Sequence, residues 1–339
     1  MTARADLARD FLDRAGWGDA RRTLLAGDAS QRRYDRLKRG SKARAVLMDA
    51  DPARGEDTRP FITIAEHLRG IGLSAPEILA SDPAHGFLLL EDLGDDVFAR
   101  LVTNAPELET SLYDAAIDVL PVLQDHAAPA LSRLDAATCA DLAAAIFEWY
   151  HTGSEAETSA LAAEFRERFE NLCQPLDTVA PVLMLRDYHA ENLIWLPERA
   201  GVARVGLLDF QDAMLAHPAY DLVSILQDAR RDVPPALETH SLDRFLAATG
   251  HDRAAFGEAY ATLGLQRQLR ILGVFARLSR RDGKARYIDF VPRVWALAQR
   301  NLAHPALSGI ASFLADTLPP PTPDHLARLR QTCQTAPTP

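Results

Sequence analysis

The chain is short of everything that would tie it to a membrane, to a metal cluster or to nucleic acid. Nowhere in its 339 residues does an apolar run approach the roughly 20 residues a membrane-spanning helix needs. Residues 1–22 alternate Arg with Asp and hold no apolar core, so a signal peptide is not expected. Cysteine is scarce. Cys139, Cys173 and Cys333 form an odd set without metal-ligand spacing, which reads as reduced thiols in a cytoplasmic protein. His189 and His217 stand too far from Cys or acidic partners at ligand spacing to suggest zinc. Positive charge is in deficit: the net charge of -10 argues against a nucleic-acid partner, because phosphate backbones demand a basic face. Only a local basic patch remains open. The apolar share of 47% and charged share of 25% are those of an ordinary globular protein, and this length has room for two lobes and a sizeable core.

The hydrophobic period changes along the chain. Residues 4–15 read as an amphipathic helix, with Leu7, Phe11, Leu12 and Ala15 on one face. Residues 23–27, 32–38 and 43–49 then read as short strands, 60–68 as a helix, and 76–79 and 86–94 as two more strands. The first turn, Gly27-Asp28-Ala29-Ser30-Gln31, is small and polar enough for its backbone amides to face an anion. After Gly94 the pattern becomes helical: 107–126, 138–151, 155–173, then 219–229, 237–248, 252–281 and 287–302. A strand pair at 192–197 and 203–209 interrupts these helices. The proline-rich run 318–323 breaks the last helical region, and 334–339 reads as a frayed tail. This gives an α+β expectation: a small sheet-bearing lobe over residues 1–92 and a mainly helical lobe over 93–339.

The chemistry sits in Leu185-Arg186-Asp187-Tyr188-His189-Ala190-Glu191-Asn192, followed by Asp209-Phe210 after the apolar run Val205–Leu208. An Asp, an Asn five residues on, and an Asp closing an apolar strand suit phosphoryl transfer. Such a reaction needs a carboxylate to orient and deprotonate the attacking hydroxyl, and oxygen ligands to hold magnesium on the phosphates. Asp187 is the candidate base. Asn192 and Asp209 are the candidate ligands, and magnesium prefers such sparse oxygen ligation. Taken singly, this spacing is common by chance and an Asp after an apolar run is usually a turn residue. Order and context favour the functional reading.

With these pieces in sequence, the chain resembles the aminoglycoside-phosphotransferase-like branch of the bilobal protein-kinase-like fold over nearly its whole length. More narrowly, it resembles bacterial anomeric kinases that phosphorylate N-acetylmuramate and N-acetylglucosamine at C1. The closer match rests on Ala26–Ser30 with Arg32-Arg33-Tyr34, Val46–Ala50, Leu88–Gly94, Leu185–Asn192, Leu208–Ala213 and the run His217–Val233. The resemblance implies ATP and Mg2+ as cofactors, Asp187 as base, and Asn192 and Asp209 as metal ligands. It also implies nucleotide contacts at Gly27, Ser30, Arg32 or Arg33, and through the backbone of Glu91 and Leu93. Asp221 fits a buried family aspartate that bonds the catalytic loop, and equally fits a helix cap. The implied partner is a small amino sugar, in cell-wall sugar recycling, with no nucleic acid, membrane or obligate protein partner.

Two departures stand out. Protein kinases carry a lysine on the third strand, paired with a glutamate on the next helix. Here Met48 takes the lysine's place, and Glu66 lies closer to the helix end than the usual partner. Strand alternation puts Arg32 on the face of Tyr34, so Arg32 is expected to face the phosphates more than Arg33; a pair of solvated surface charges is the alternative. The second departure is Arg186, where aminoglycoside phosphotransferases usually have Gly. Arg186, Tyr188, Arg230 and Arg231 are the candidate acceptor contacts, each of which also reads as packing or as a solvated helix end. Other acceptors stay open: choline, homoserine or an aminoglycoside. So does a non-catalytic nucleotide-binding pseudokinase, against which Asp187, Asn192 and Asp209 argue together. Asp209 and Asp221 are too close for the activation segment of a protein-directed kinase.

Overall fold

A computed structural model describes residues 3–26, 32–40 and 43–331. In chain order the elements are α1 (Ala3–Arg14), β1 (Arg21–Ala26), β2 (Arg33–Arg39), β3 (Ala43–Asp49), α2 (Arg59–Gly70), β4 (Ile78–Asp82), β5 (Phe87–Glu91), α3 (Phe98–Asn104) and α4 (Glu109–Gln124). There follow α5 (Ala136–Trp149), α6 (Glu155–Cys173), β6 (Val182–Met184), β7 (Leu193–Trp195), β8 (Val205–Leu207), β9 (Met214–Ala216) and α7 (Ala219–Leu226). The chain closes with α8 (Pro235–Thr249), α9 (Arg253–Arg280), α10 (Val291–Leu302), α11 (Ser308–Thr317) and α12 (Pro323–Leu329). None of these helices is long and apolar enough to cross a membrane.

By packing, the chain divides into two compact units: Met1–Pro129 with Ala190–Ala213, and Ala130–His189 with Met214–Pro339.

The first unit is built on a five-stranded antiparallel sheet ordered β1-β2-β3-β5-β4. Alternation along β2, β3 and β5 sends Leu37, Ala45, Leu47, Phe87 and Leu89 to one face, where Ala8, Phe11 and Leu12 of α1 close a core. The opposite face carries Tyr34, Arg36, Val46, Met48, Leu88 and Leu90, as the register pairs Tyr34 with Met48 and Val46 with Leu90. The helix α2 buries Phe61, Ile64, Ala65 and Leu68 at helical spacing, and Phe61 stacks on Phe210 with ring centroids 4.8 Å apart. The β7–β8 hairpin belongs to this unit. Leu207 N donates to Ser74 O and Trp195 N to Asp96 O, which lash both of its strands.

The second unit is helical. The 28-residue α9 forms its spine, and α5, α7 and α10 pack on it. Gly273 of α9 lets the backbone of α5 come so close that a Cβ would lie 2.8 Å from the Ala145 carbonyl carbon. Asp135, Ser154 and Asp252 cap α5, α6 and α9 by accepting from Thr138 N, Glu157 N and Ala255 N. Gly250, at φ 72°, ends α8. Cys139 and Cys173 are buried free thiols; Cys333 lies outside the described residues. Elements not anticipated include α3, α12 and the strands β6 and β9, which pair with each other. Three-residue strands carry too little alternation to register as a period.

Gly86 is where the sheet tolerates least. It sits at φ 72°, and a Cβ there would lie 1.8 Å from Ala50 O. Gly86→Ala is expected to lower unfolding free energy by about 2 kcal/mol or more, read from urea denaturation, because strain and clash act together.

Candidate functional site

The segment Leu185–Asn192 divides between the two compact units after His189. Asp187 therefore belongs to one unit, and Asn192 and Asp209 to the other.

In the first unit, β7 and β8 pair antiparallel with Leu193 opposite Leu207, and Leu208 N donates to Asn192 O at 3.0 Å. That register sets Asn192 and Asp209 side by side at one end of the hairpin. Asn192 Nδ2 lies 3.5 Å from Asp209 Oδ2, while Gln211 Nε2 donates to Asp209 Oδ1 at 2.9 Å. Asp209 is exposed and has φ 58°, a left-handed conformation that aspartate tolerates better than most residues. A carboxylate beside a side-chain amide, which presents its oxygen when turned by half a rotation, gives two oxygen donors of the kind magnesium accepts from a protein. Among the described residues no group of three His, Cys, Asp or Glu side chains could hold a metal, so any cation here rests on sparse protein ligation.

Of the expected nucleotide contacts, Gly27 and Ser30 lie outside the described residues. Arg32 is mostly buried, and its Nε donates to Glu56 Oε2 at 2.6 Å. Burial works against its charge, but Glu56, Tyr34 and Asp212 outweigh it and raise its pKa. The phenol of Tyr34 is pushed up to about 12, chiefly by burial, with the negative charge of Asp209 contributing. Arg33 instead turns outward and donates to the buried Asp35 at 3.0 Å. Met48 is fully buried, and Glu66 is exposed.

The linker after β5 is held by a residue the sequence reading did not single out. Arg36 donates to both carboxylate oxygens of Asp95 at 2.8 Å, to Asp92 at 2.9 Å and to Gly94 O at 3.2 Å. The Glu91 carboxylate accepts from Arg199 and from Glu77 N, and Leu93 is buried against Gly206. Both side chains of the expected adenine-contacting pair are thus used within the protein.

In the second unit, the loop that carries Asp187 is fastened from below. Asp221 lies in the first turn of α7 and is buried. Its two carboxylate oxygens accept from Leu185 N at 2.7 Å and Arg186 N at 2.9 Å, and Ser224 Oγ donates to Arg186 O at 3.2 Å. Of the two roles open for Asp221, the loop bond is the one observed; Pro218, not Asp221, occupies the N-cap position of α7. Arg186 has φ 72°. A position in the left-handed region explains why glycine is usual there, and why an arginine needs its N–H and C=O both pinned.

Around Asp187 lies a buried polar cluster. Tyr188 is packed inside, and Arg230 Nη1 lies 3.2 Å from Nε2 of His189, whose pKa is driven down to about 4 mainly by burial. The neutral imidazole therefore accepts from Arg230. Arg267 of α9 is fully enclosed, its pKa lowered by burial, with the charges of Asp187 and Asp228 acting in the opposite direction. Arg231 lines a cavity of about 350 Å³ with Asp228, Asp232, Arg293, Leu297 and Arg300. Arg293 is tied to Asp232 at 2.6 and 3.0 Å. Arg36, Glu56, Asp228 and Arg267 were not singled out from sequence. Their signal is a charge inside an apolar run or a turn, and it has meaning only once burial is known.

A family model described as the phosphotransferase enzyme family matches residues 21–263. The chain belongs to that family. It is 43% identical to an N-acetylmuramate/N-acetylglucosamine kinase of Caulobacter vibrioides, over 91% of this chain and 95% of that protein. It is 34% identical to a protein of the same name from Pseudomonas aeruginosa, over 88% and 90%. Among solved structures, a choline/ethanolamine kinase family protein from Mesorhizobium loti superposes with a TM-score of 0.62 at 15% identity, covering 96% of this chain and 99% of that one. An aminoglycoside-3'-phosphotransferase of type VIII superposes with 0.55 at 18% identity, covering 77% and 98%. The α+β, protein-kinase-like fold expected from the sequence is the fold found, and the enzyme is a phosphotransferase.

The Asp221 carboxyl is pushed up to about 7, mainly by burial and partly by the Asp187 charge, against the two backbone N–H groups that favour its ionised form. A carboxyl raised in the folded state takes up a proton more readily there than in the unfolded chain. Its contribution to stability is then complete below about pH 4 and is lost as pH rises through 7. Asp221→Asn should flatten that slope, so that the variant gains on the wild type by a few kcal/mol between about pH 4 and 8. Parallel urea-denaturation profiles in the two proteins would show that Asp221 titrates as an ordinary carboxyl.

Proposed function

We propose that this phosphotransferase uses ATP and Mg2+ to phosphorylate the anomeric C1 hydroxyl of N-acetylmuramate or N-acetylglucosamine, in cytoplasmic recycling of cell-wall sugars. The observation that carries the acceptor class is the 43% identity, spanning nearly the whole of both chains, to a kinase named for those two sugars. The pairing of Asn192 with Asp209 at 3.5 Å supports the metal-dependent chemistry.

In this reading residues 1–92 cover the nucleotide and 93–339 carry the base and the acceptor. The backbone of Glu91 and Leu93 meets the adenine, Gly27, Ser30 and Arg32 meet the phosphates, and Arg33 contributes less. Asn192 and Asp209 hold magnesium, which neutralises charge on the phosphates when bound. Asp187 accepts the proton of the sugar hydroxyl as its oxygen bonds to the γ-phosphorus and ADP departs. A hemiacetal hydroxyl is more acidic than a primary alcohol, which eases the demand on Asp187. Arg186 and Tyr188 shape the loop around the base, and Arg230 and Arg231 face the acceptor. A guanidinium there suits a sugar that bears a carboxylate.

The product should be an acid-labile glycosyl phosphate without a reducing end, and its phosphorus NMR signal should couple to the anomeric proton. Methyl glycosides, blocked at C1 and free at C6, should not react. Phosphate found at C6, or efficient turnover of a methyl glycoside, would remove the anomeric assignment. Turnover of an amino alcohol with neither sugar accepted would remove the sugar class.

A further inference from the structure

The kinase-like fold uses a lysine–glutamate ion pair to set its phosphate-binding cation, and this chain has no such pair in the usual place. Its lysines stand at 38, 42 and 284, none of them on β3. Met48 fills the third-strand position and is fully buried, while Glu66 of α2 points to solvent. A different ion pair lies on the same side of the sheet. Arg32, just before β2, bonds Glu56 at 2.6 Å, with side-chain exposures of only 13% and 14%. Through Tyr34 they are linked to the charge of the candidate metal carboxylate. Tyr34, opposite Met48 in the register, takes a hydrogen bond from Arg32 and feels the charge of Asp209, and Arg32 feels that of Asp212.

Glu56 is presented by a built turn rather than a loose loop. Asp51 accepts from Ala53 N at 3.0 Å, Gly55 adopts φ 81° and donates to Pro52 O at 3.0 Å, and Glu56 N reaches Asp51 O at 3.4 Å. The next residue, Asp57, is tied to Arg59 at the start of α2. We propose that Glu56 is the positioning residue for Arg32, and that the Arg32–Glu56 pair with Tyr34 stands in for the absent lysine–glutamate pair. The inference rests on the phosphotransferase reading but not on the identity of the acceptor. A guanidinium can serve a carboxylate through Nε and a phosphate through its terminal nitrogens at once, which an ammonium does with less directional control. Glu56 then fixes the direction of that second edge and keeps the buried charge compensated. Met48 follows as a consequence: a lysine beside Arg32 would place two cations on one phosphate group.

The test uses the full chain without any acceptor, so its outcome is independent of which alcohol is phosphorylated. Binding of Mg–ADP and of adenosine is measured by titration calorimetry for the wild type, Glu56→Gln, Glu56→Asp and Arg32→Lys. Loss of an oriented, charge-assisted contact should weaken Mg–ADP about tenfold or more in Glu56→Gln and Arg32→Lys. Adenosine affinity should stay unchanged, and Glu56→Asp should recover part of the loss. Wild-type Mg–ADP affinity in Glu56→Gln would overturn the proposal. So would an equal loss for adenosine and Mg–ADP, since that marks a general structural defect rather than a phosphate-directed one.

Discussion

Two hydrogen bonds from the backbone of Leu185 and Arg186 to the carboxylate of Asp221 anchor the loop on which the proposed chemistry depends. Among the described residues only Arg186 and Asp209 combine a side chain with a positive φ. One precedes the candidate base; the other is the candidate metal ligand. Left-handed backbone at a non-glycine residue is costly, and it persists where neighbours over-determine it. At Arg186 those neighbours are Asp221 on the N–H and Ser224 on the carbonyl. At Asp209 they are the Gln211 amide and the hairpin register that brings Asn192 alongside. Strain falls where the chemistry is proposed, and each position is held by a buried or paired polar group.

The same economy of charge runs through both units. Buried charges are compensated by adjacent partners: Arg32 by Glu56, Arg36 by Asp92 and Asp95, and the buried Glu238 by Arg300. Removing one partner would strand the other in a low-dielectric site, so these pairs specify geometry more than they add stability. The linker after β5 illustrates this. Arg36 reaches from the sheet to Asp92, Gly94 O and Asp95, which fixes the chain's path just where the adenine-facing backbone is proposed. The metal ligation and phosphate binding proposed for Asn192, Asp209 and Arg32 follow the same pattern of few groups held firmly.

Much of this was legible in the residues. The five-stranded sheet, α1, α2 and the long helices follow from changes of hydrophobic period, because each buries a face wide enough to leave a repeat. The Asp187, Asn192 and Asp209 spacing pointed to phosphoryl transfer before any geometry was known. What escaped notice was short or contextual. The strands β6 and β9 have three residues each, and α3 has seven. Glu56 stands in a turn among other charged residues, and only the buried approach of Arg32 distinguishes it from a solvated carboxylate. Arg36 sits in a strand with Arg33 and Arg39, and burial alone separates it from them. The expectation that Arg32 rather than Arg33 turns toward Tyr34 came from alternation, and the two side chains do diverge as a strand requires.

The central claim is that Asp187 and Asp209 do different work, one on the acceptor's proton and one on the metal. Magnesium-dependent ATP affinity, measured alongside turnover in Asp187→Asn and Asp209→Asn, separates the two most directly. Asp187→Asn should keep magnesium-dependent ATP binding near the wild-type level while turnover falls by roughly a hundredfold or more. Asp209→Asn should lose the magnesium dependence of binding itself. Wild-type turnover in both variants would contradict the account, as would an unchanged magnesium dependence in Asp209→Asn.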